Sequence, residues 1–186
     1  MYIASKIRKE NIAEYIIYMW QIEDQIRAND LDIEKIKANI IDKYPSLTDA
    51  QRKELTEWYE SLIDMMRREG VEKSGHLQIN RNILSSLVAL HQALLKDPKF
   101  ANYSAEFYKT LPYIVELRSK AGENKDGEIE TCFNALYGML LMRLQGKEIT
   151  PDTMEAIKQI SHFIAVLSNY FKLDDNDELE WSDSEA

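Results

Sequence analysis

An uncharged stretch near the C-terminal end of the chain constrains the fold more than any other feature. No Asp, Glu, Lys or Arg lies between Thr131 and Met142, and apolar side chains recur there at helical spacing. Helices that are apolar on nearly all sides are buried ones. Gly146 signals the end of this helix, and Thr150–Pro151 signals the start of another, because threonine caps helix starts and proline fits the first helical position. We therefore predict a buried antiparallel hairpin of two helices over residues 128–171.

The composition supports a helical domain built around this hairpin. The 186 residues include only 6 glycines and 4 prolines and are 45% hydrophobic, which favours long helices over a turn-rich β architecture. Amphipathic patterns upstream predict further helices. We expect an all-α fold, an irregular multi-helix bundle of about seven helices with a buried C-terminal helical hairpin, and we assign residues 1–173 to a single helical domain.

The upstream helices are predicted from apolar spacing and from their start and stop signals. We expect one long first helix over residues 5–29, and a later helix that Thr48 caps together with the glutamine three residues on. Pro112 interrupts a further helical pattern, which predicts either a kink or two short helices that meet near Thr110. Residues 122–127 are predicted to form a loop.

The negative charge is concentrated at the C-terminal end. The formal net charge is −9, but seven acidic residues and no Lys or Arg lie from Asp174 onward, so the rest of the chain is nearly neutral. We predict residues 174–186 to be an acidic, disordered tail that aids solubility. The alternative is that Leu179 and Trp181 help the tail dock on a basic cluster of Arg67, Arg68, Lys73 and Arg81. Without a dominant positive patch, no nucleic-acid partner is expected.

We expect a cytoplasmic protein without a membrane partner. The longest uncharged runs fall short of the roughly 20 apolar residues that a bilayer crossing needs. Glu14 interrupts the apolar run behind the basic N-terminal residues, and no cleavage signal of small residues follows, so a signal peptide is not expected. The single cysteine, Cys132, lies in the apolar stretch, which is typical of an inert core thiol in a reducing compartment.

Motifs of catalysis, metal binding and cofactor binding are missing from the sequence. None of the three histidines has a carboxylate three positions earlier, so the Glu-x-x-His pattern of metal-binding bundles does not occur. Ser85–Ser86 lacks the Gly-x-Ser-x-Gly context, and Cys132 has no neighbouring base in sequence. No glycine-rich phosphate loop is present. We therefore expect no catalytic residue, no metal and no cofactor.

One polar group on the predicted first helix is the candidate ligand site. Glu23 and Asp24 precede Arg27 by four and three residues, at the border of an apolar stripe. The simpler interpretation is an ion pair that fixes how this helix docks. The functional interpretation is a charged pocket between helices, lined by Glu23, Arg27, Tyr18 and His91, in which the planar fork of Arg27 binds an anionic ligand.

The histidines have simpler interpretations of their own. His91 lies on an apolar stripe, where a half-buried ring bonded to a backbone carbonyl or a nearby hydroxyl is expected. His76 lies near a predicted helix start and is expected to be solvated.

Part of the N-terminal region resembles a known family. The segments Asn11–Tyr15, Tyr18–Asp24 and Ile26–Ala28 are similar to the opening of an uncharacterised Bacteroidetes family of about this length, a domain of unknown function. The resemblance covers the whole chain. It implies a single, all-helical cytoplasmic domain and brings no substrate, cofactor or catalytic residue with it.

Two functions remain open from the sequence. The first is a non-enzymatic cytoplasmic helical interaction module, as a homodimer or with a protein partner. It is suggested by aromatic and methionine residues on amphipathic helices (Trp58, Tyr59, Met65 and Met66) together with the missing catalytic motifs. The alternative is a helical bundle that binds a small anionic ligand, or acts as an enzyme, through the pocket between helices.

Overall fold

The computed structural model describes residues 2–120 and 126–182, and all regular structure in these ranges is helical. Two short 3-10 turns, Ile41–Lys43 and Pro98–Phe100, accompany the α-helices. The all-α prediction is confirmed. The α-helices are α1 (Tyr2–Glu10), α2 (Ile12–Ala28), α3 (Ile33–Asn39), α4 (Asp49–Glu69), α5 (Gln78–Lys96), α6 (Ala101–Lys120), α7 (Glu128–Leu144) and α8 (Pro151–Asp175).

The predicted long first helix is wrong, because the chain breaks it at Asn11. This residue has an extended backbone, and its side-chain oxygen accepts hydrogen bonds from the N–H groups of Ala13 at 3.0 Å and Glu14 at 3.2 Å. An asparagine that bonds to the backbone in this way starts a new helix. The break lets α1 fold back against α2.

Pro112 lies inside one continuous helix, α6, so the alternative of two short helices is wrong. The residue is on the exposed side of α6. Proline has no backbone N–H, so the carbonyl of Tyr108, four residues earlier, lacks its usual hydrogen-bond donor. The side chain of Tyr108 is also exposed. Water replaces the lost donor at such a position, so the helix continues. The predicted loop over residues 122–127 falls largely on residues 121–125, outside the described ranges.

The C-terminal hairpin forms as predicted, but its burial differs from the prediction. α7 ends beside Gly146, which has a φ of 65°, and the side chain of Thr150 caps α8 by accepting from the N–H of Thr153. The two helices pack on each other. The fully buried side chains of α7 lie in its first part, around Phe133. Beyond them Met139 is still buried, the other side chains are half-exposed or exposed, and Leu144 is 69% exposed.

The core is organised around α2, which contacts α1, α4, α5, α7 and α8. Ile16 and Ile26 of this helix are fully buried, as are Phe133 of α7 and Phe163 of α8. α2 thus holds a central place, and the hairpin forms one of its walls. Among residues 2–120 and 126–182, no helix combines the length and apolar character that would let it cross a bilayer.

The disordered tail over residues 174–186 stays a prediction, and the structure describes this part of the chain as far as Ser182. α8 continues to Asp175, and Asp177 reverses the chain with a φ of 57°. The segment beyond it lies against the start of α6, where Trp181 contacts Phe100. Two apolar side chains within the acidic run account for this, because they bury surface that a purely acidic tail would lack. Residues 183–186 lie outside the described ranges.

Candidate functional site

Glu23 is the most unusual polar residue of the structure, because its side chain is fully buried in the core side of α2. Its carboxylate accepts three hydrogen bonds. One oxygen accepts from the N–H of Leu77 at 2.9 Å and from the amide of Asn80 at 2.7 Å. The other lies 2.6 Å from Nδ1 of His76. A buried carboxylate persists only with such compensation.

The carboxylate of Glu23 also serves the start of α5. Leu77 occupies the N-cap position of that helix and offers no side-chain oxygen. Glu23, which belongs to α2, acts as the capping acceptor instead and binds the N–H of Leu77. Glu69 at the end of α4 accepts from the next N–H, that of Gln78, at 2.6 Å. Both negative charges lie at the positive end of the α5 dipole, which favours them. The predicted docking role of Glu23 therefore has a physical basis, although its partner is α5 and not Arg27.

His76 is held on two sides and differs from the solvated residue that the sequence predicted. Its ring stacks on Trp20 with centroids 4.0 Å apart and an angle of 11° between the planes. An ionised Glu23 can only accept, so Nδ1 carries the proton of the bond between them. Nε2 lies on the opposite edge of the ring, hydrogen-bonds to no described residue, and belongs to a side chain that is 30% exposed. In the neutral ring, Nε2 is therefore a free proton acceptor.

A second acceptor lies beside this pair. Asn80 is buried, and while its amide nitrogen bonds to Glu23, its Oδ1 accepts no hydrogen bond from the described residues. Buried polar atoms are nearly always paired, so an unpaired one marks a place where a further donor fits. Two acceptors are therefore left unpaired by the described residues: Oδ1 of Asn80, which is closed off from solvent, and Nε2 of His76, whose side chain is partly exposed.

Arg27 holds the loop between α4 and α5 and is not free for a ligand. Its Nε and Nη2 atoms donate to the carbonyl of Val71 at 3.4 and 3.0 Å, and Nη2 also donates to the carbonyl of Gly75. Its Nη1 atom pairs with Asp24 at 2.8 Å, which confirms the pairing expected within the helix. The guanidinium thus fixes the loop that carries His76.

Further acidic groups border the site on the α7 side. The hydroxyl of Tyr137 donates to Asp24 at 2.6 Å, and burial together with this carboxylate raises the pKa of Tyr137. Burial and the neighbouring Asp126 raise the pKa of Glu130, while His76 acts in the opposite direction. α7 thus adds an acidic side chain, Glu130, that interacts electrostatically with His76.

The structure does not bring all four predicted ligand-binding residues together. Glu23 and Arg27 both contact the α4–α5 loop, but His91 lies eleven residues after Asn80, about 16 Å farther along α5. There Nδ1 of His91 is bonded to the hydroxyl of Tyr103 at 2.6 Å, and burial lowers the pKa of His91. The bond to a hydroxyl follows the simpler interpretation of His91, although the residue is buried and not half-buried.

Tyr18 belongs to a different feature, a surface groove of about 460 Å³ between the α1–α2 pair and the α7–α8 hairpin. Apolar side chains from three helices line this groove, among them Ile17, Leu136 and Ala165. Burial raises the pKa of the Tyr18 hydroxyl, and Tyr44 adds to this effect. The groove therefore combines apolar side chains with the phenol of Tyr18 and a few polar side chains, such as Glu14 and Gln21.

Sequence reasoning missed Trp20, His76 and Asn80. The position of Glu23 in the sequence indicated that such partners exist. Glu23 lies one residue after Ile22 and three before Ile26, which are both buried residues of the same apolar stripe. A carboxylate so deep in an apolar stripe requires donors from elsewhere in the chain. The spacing does not say which donors, because they follow 53 to 57 residues later.

The donor chemistry of the described residues does not favour a metal. His, Cys, Asp and Glu side chains nowhere gather in threes in the part of the chain that the structure describes. Cys132 is fully buried in α7, and burial raises the pKa of its thiol to about 12. Such a thiol stays protonated and unreactive at neutral pH.

Comparison with known proteins yields a family. A family model described as a domain of unknown function, DUF4924, matches residues 1–178. Neither a curated protein nor a solved structure matches the chain. The resemblance to an uncharacterised family is confirmed, while its Bacteroidetes origin stays a prediction.

Proposed function

Since the chain belongs to the DUF4924 family, a domain of unknown function, its function has to be inferred from its own surface, and we propose a non-enzymatic helical interaction module that forms a homodimer. The observation that carries this proposal is the uncovered apolar end of the α7–α8 hairpin. Leu144 of α7 is 69% exposed, and Met154 of α8 is 40% exposed. Exposed apolar patches on an otherwise charged surface mark interaction sites.

Two half-buried leucines of α7 lie on the same side of the helix as the exposed Leu144, and one of them, Leu136, also packs against the core. Leu136, Leu140 and Leu144 follow at four-residue spacing on α7, and such residues share one side of a helix. Nη2 of Arg143 lies 3.7 Å from the sulfur of Met154, which places the start of α8 beside the end of α7. We call Leu136, Leu140, Leu144 and Met154 the hairpin face. Through Leu136 it continues into the groove that Tyr18 lines.

A second copy of the chain is the proposed occupant of this face. A helical face and the groove beside it, both apolar, suit packing of helix against helix, which is how symmetric dimers bury such stripes. The aromatic and methionine residues that suggested an interaction role from the sequence do not belong to the hairpin face. Tyr59 and Met66 are buried in the core, and Trp58 and Met65 pack against it.

The oligomeric state tests this proposal. We expect light scattering coupled to size exclusion to give a mass of two chains across micromolar concentrations, and a mass of one chain for Leu144→Glu combined with Met154→Glu. Tyr44→Glu is the matched control, because Tyr44 is 53% exposed and lies outside the hairpin face. A wild-type mass of one chain throughout, or an unchanged mass for the double variant, would overturn the proposal.

We also propose a cytoplasmic location. It is supported by Cys132, the single cysteine, whose buried thiol has a raised pKa. A chain that relies on no disulfide suits a reducing compartment. Fractionation of cells that express the chain, followed by detection with an antibody, tests the location.

A small-molecule site is the second candidate function, and a specific observation favours it at His76. Nε2 of His76 and Oδ1 of Asn80 are both acceptors without a described partner. Arg27 is engaged with backbone carbonyls and with Asp24, so its guanidinium is not available to bind an anion. The geometry therefore favours a ligand that donates hydrogen bonds, such as an amine, over the anionic ligand that the sequence suggested.

Thermal unfolding in the presence of small probes tests this second candidate. We expect putrescine or imidazole to raise the melting temperature of the wild type and not of His76→Phe, which keeps an aromatic ring against Trp20. Phosphate and citrate serve as anionic controls. Equal shifts for the wild type and for His76→Phe, or a rise only with the anions, would contradict a donor-binding site.

A further inference from the structure

The segment Glu178–Ser182 lies across the junction between α5 and α6, which consists of Asp97–Phe100. Asp177 turns the chain back after α8 with a φ of 57°, and the N–H of Glu178 donates to the carbonyl of Leu173 at 2.8 Å. This is the hydrogen-bond pattern of a helix end that reverses the chain. The segment therefore leaves α8 in a defined direction toward the junction.

Apolar anchors hold this segment. The ring of Trp181 meets that of Phe100 edge to face, with centroids 5.2 Å apart and planes at 78°. Phe100 contacts Tyr170 of α8 in the same manner at 5.4 Å, so Trp181 extends an aromatic cluster. Leu179 is half-buried and packs against the core. Edge-to-face aromatic pairs add attraction beyond the buried area.

Polar contacts fix the register of the segment. Asp97 accepts from the backbone N–H of Ser182 at 2.9 Å and from its hydroxyl. These bonds hold the pKa of Asp97 below its usual range. Nζ of Lys99 pairs with Glu180 at 3.2 Å. The junction thus provides an acceptor for the backbone, a positive charge and an aromatic surface, the three elements that peptide-binding sites combine.

We propose that this junction is a peptide-docking site, and that its partner is the segment Glu178–Ser182 of a second copy of the chain. The contacts with the junction involve only side chains and the backbone N–H of Ser182, so they form equally well when the segment belongs to another molecule. Exchange of an identical element between copies is a low-cost route to association. The segment of the same molecule competes, because its tether gives it a high effective concentration.

The site on which this inference rests is separate from the hairpin face. The recognised peptide is acidic and has a leucine, a tryptophan two residues later and a serine directly after the tryptophan. Leu179, Trp181 and Ser182 carry these contacts. The basic cluster around Arg67 and Lys73, considered for the tail from sequence, contributes no contact with residues 176–182 in the described structure. A single positive charge, Lys99, serves instead.

Fluorescence anisotropy of a labelled peptide of residues 174–186 tests the proposal with full-length proteins. The receptor is Trp181→Ala, in which the tethered segment has lost its main anchor; Trp181 is 38% exposed, so the fold tolerates the change. We expect the peptide to bind this variant at least about tenfold more tightly than the wild type, whose site is occupied. A peptide that itself carries Trp181→Ala is expected not to bind.

A charge exchange provides the matched control. Lys99→Glu, added to the receptor, is expected to weaken binding of the natural peptide, and a peptide with Glu180→Lys is expected to restore it. Both positions are exposed, so neither change affects folding. No binding by the Trp181→Ala receptor, equal binding by the two receptors, or no rescue by the exchanged charge would overturn the proposal. The peptides and both receptors leave Leu144 and Met154 unchanged, so a failure of peptide binding does not bear on the hairpin face.

Discussion

At the scale of single residues, Glu23 has the largest expected effect on stability. Its carboxylate is fully buried and serves three donors, from His76, Leu77 and Asn80. Glu23→Ala leaves these donors unpaired in the core, and we expect it to lower the free energy of unfolding by about 3–5 kcal/mol. Glu23→Gln keeps an acceptor and a group that can face the histidine, so we expect a smaller loss of about 1–2 kcal/mol.

Urea unfolding followed by circular dichroism measures these changes. Glu54→Ala on the exposed side of α4 is the control, and we expect it to stay within about 0.5 kcal/mol of the wild type. If Glu23→Ala unfolded no more readily than this control, the hydrogen bonds of Glu23 would not stabilise the fold.

The residue scale also shows where sequence reasoning stops. Glu23 and Arg27 could be singled out because their own helix reveals a charge at the border of an apolar stripe. The partner His76 could not, since its contact with Glu23 depends on how α2 packs against the start of α5. His91 shares the helical spacing of the core but lies about 16 Å from Asn80 along α5. It therefore cannot line the same pocket as Glu23 and Arg27.

At the scale of elements, local signals predicted the helix ends well. The capping box of Thr48 and Gln51 and the cap at Thr150 formed as expected, because a cap depends on residues within one turn. Asn11 gives a comparable local signal, which the apolar spacing on both sides of it concealed. The partial exposure of α7 was not predictable in this way, because burial depends on which helices cover its second half.

Two glycines allow a prediction at this scale. Gly138 lies in the middle of α7, and a methyl group added there meets no atom within 4 Å. We expect Gly138→Ala to stabilise the protein by about 1 kcal/mol, because alanine favours the helix. Gly70 ends α4 with a φ of 68°, and we expect Gly70→Ala to destabilise the protein by about 1 kcal/mol despite equal free space.

Thermal unfolding of the two variants decides between backbone conformation and free space as the cause. Opposite shifts of the melting temperature are expected from substitutions that are sterically alike. Shifts of the same sign would show that the conformation at Gly70 does not control the end of α4.

At the scale of the whole molecule, α2 connects the parts that function separately. It packs against five other helices, and it supplies Trp20 and Glu23 to the His76 site and Ile17 and Tyr18 to the groove. The groove beside the proposed dimer surface and the small-molecule site therefore both border α2. A ligand at His76 would act on the dimer only by displacing α2, whose buried face resists movement.

The stability of the whole molecule is expected to depend on pH through His91. Burial lowers the pKa of His91 in the folded protein, whereas the unfolded chain has the ordinary value near about 6.5. As the pH falls below that value, the unfolded chain binds a proton that the folded protein does not, so the free energy of unfolding decreases. Glu106 and Asp97 have lowered pKa values, and the stability they contribute is lost only in more acidic solution, below about 4.5.

A comparison with His91→Gln isolates the contribution of His91. Glutamine can still bond to the hydroxyl of Tyr103 but does not titrate. We expect urea unfolding to show that the free energy of unfolding falls more for the wild type than for the variant between pH 7.5 and 5.5. The difference is at most about 1.4 kcal/mol per pH unit, the limit for the uptake of one proton. All other ionisable groups are present in both proteins, so their contributions cancel in the difference. Equal losses would mean that His91 is protonated in the folded core, which its setting among Tyr103, Phe107 and Phe163 argues against.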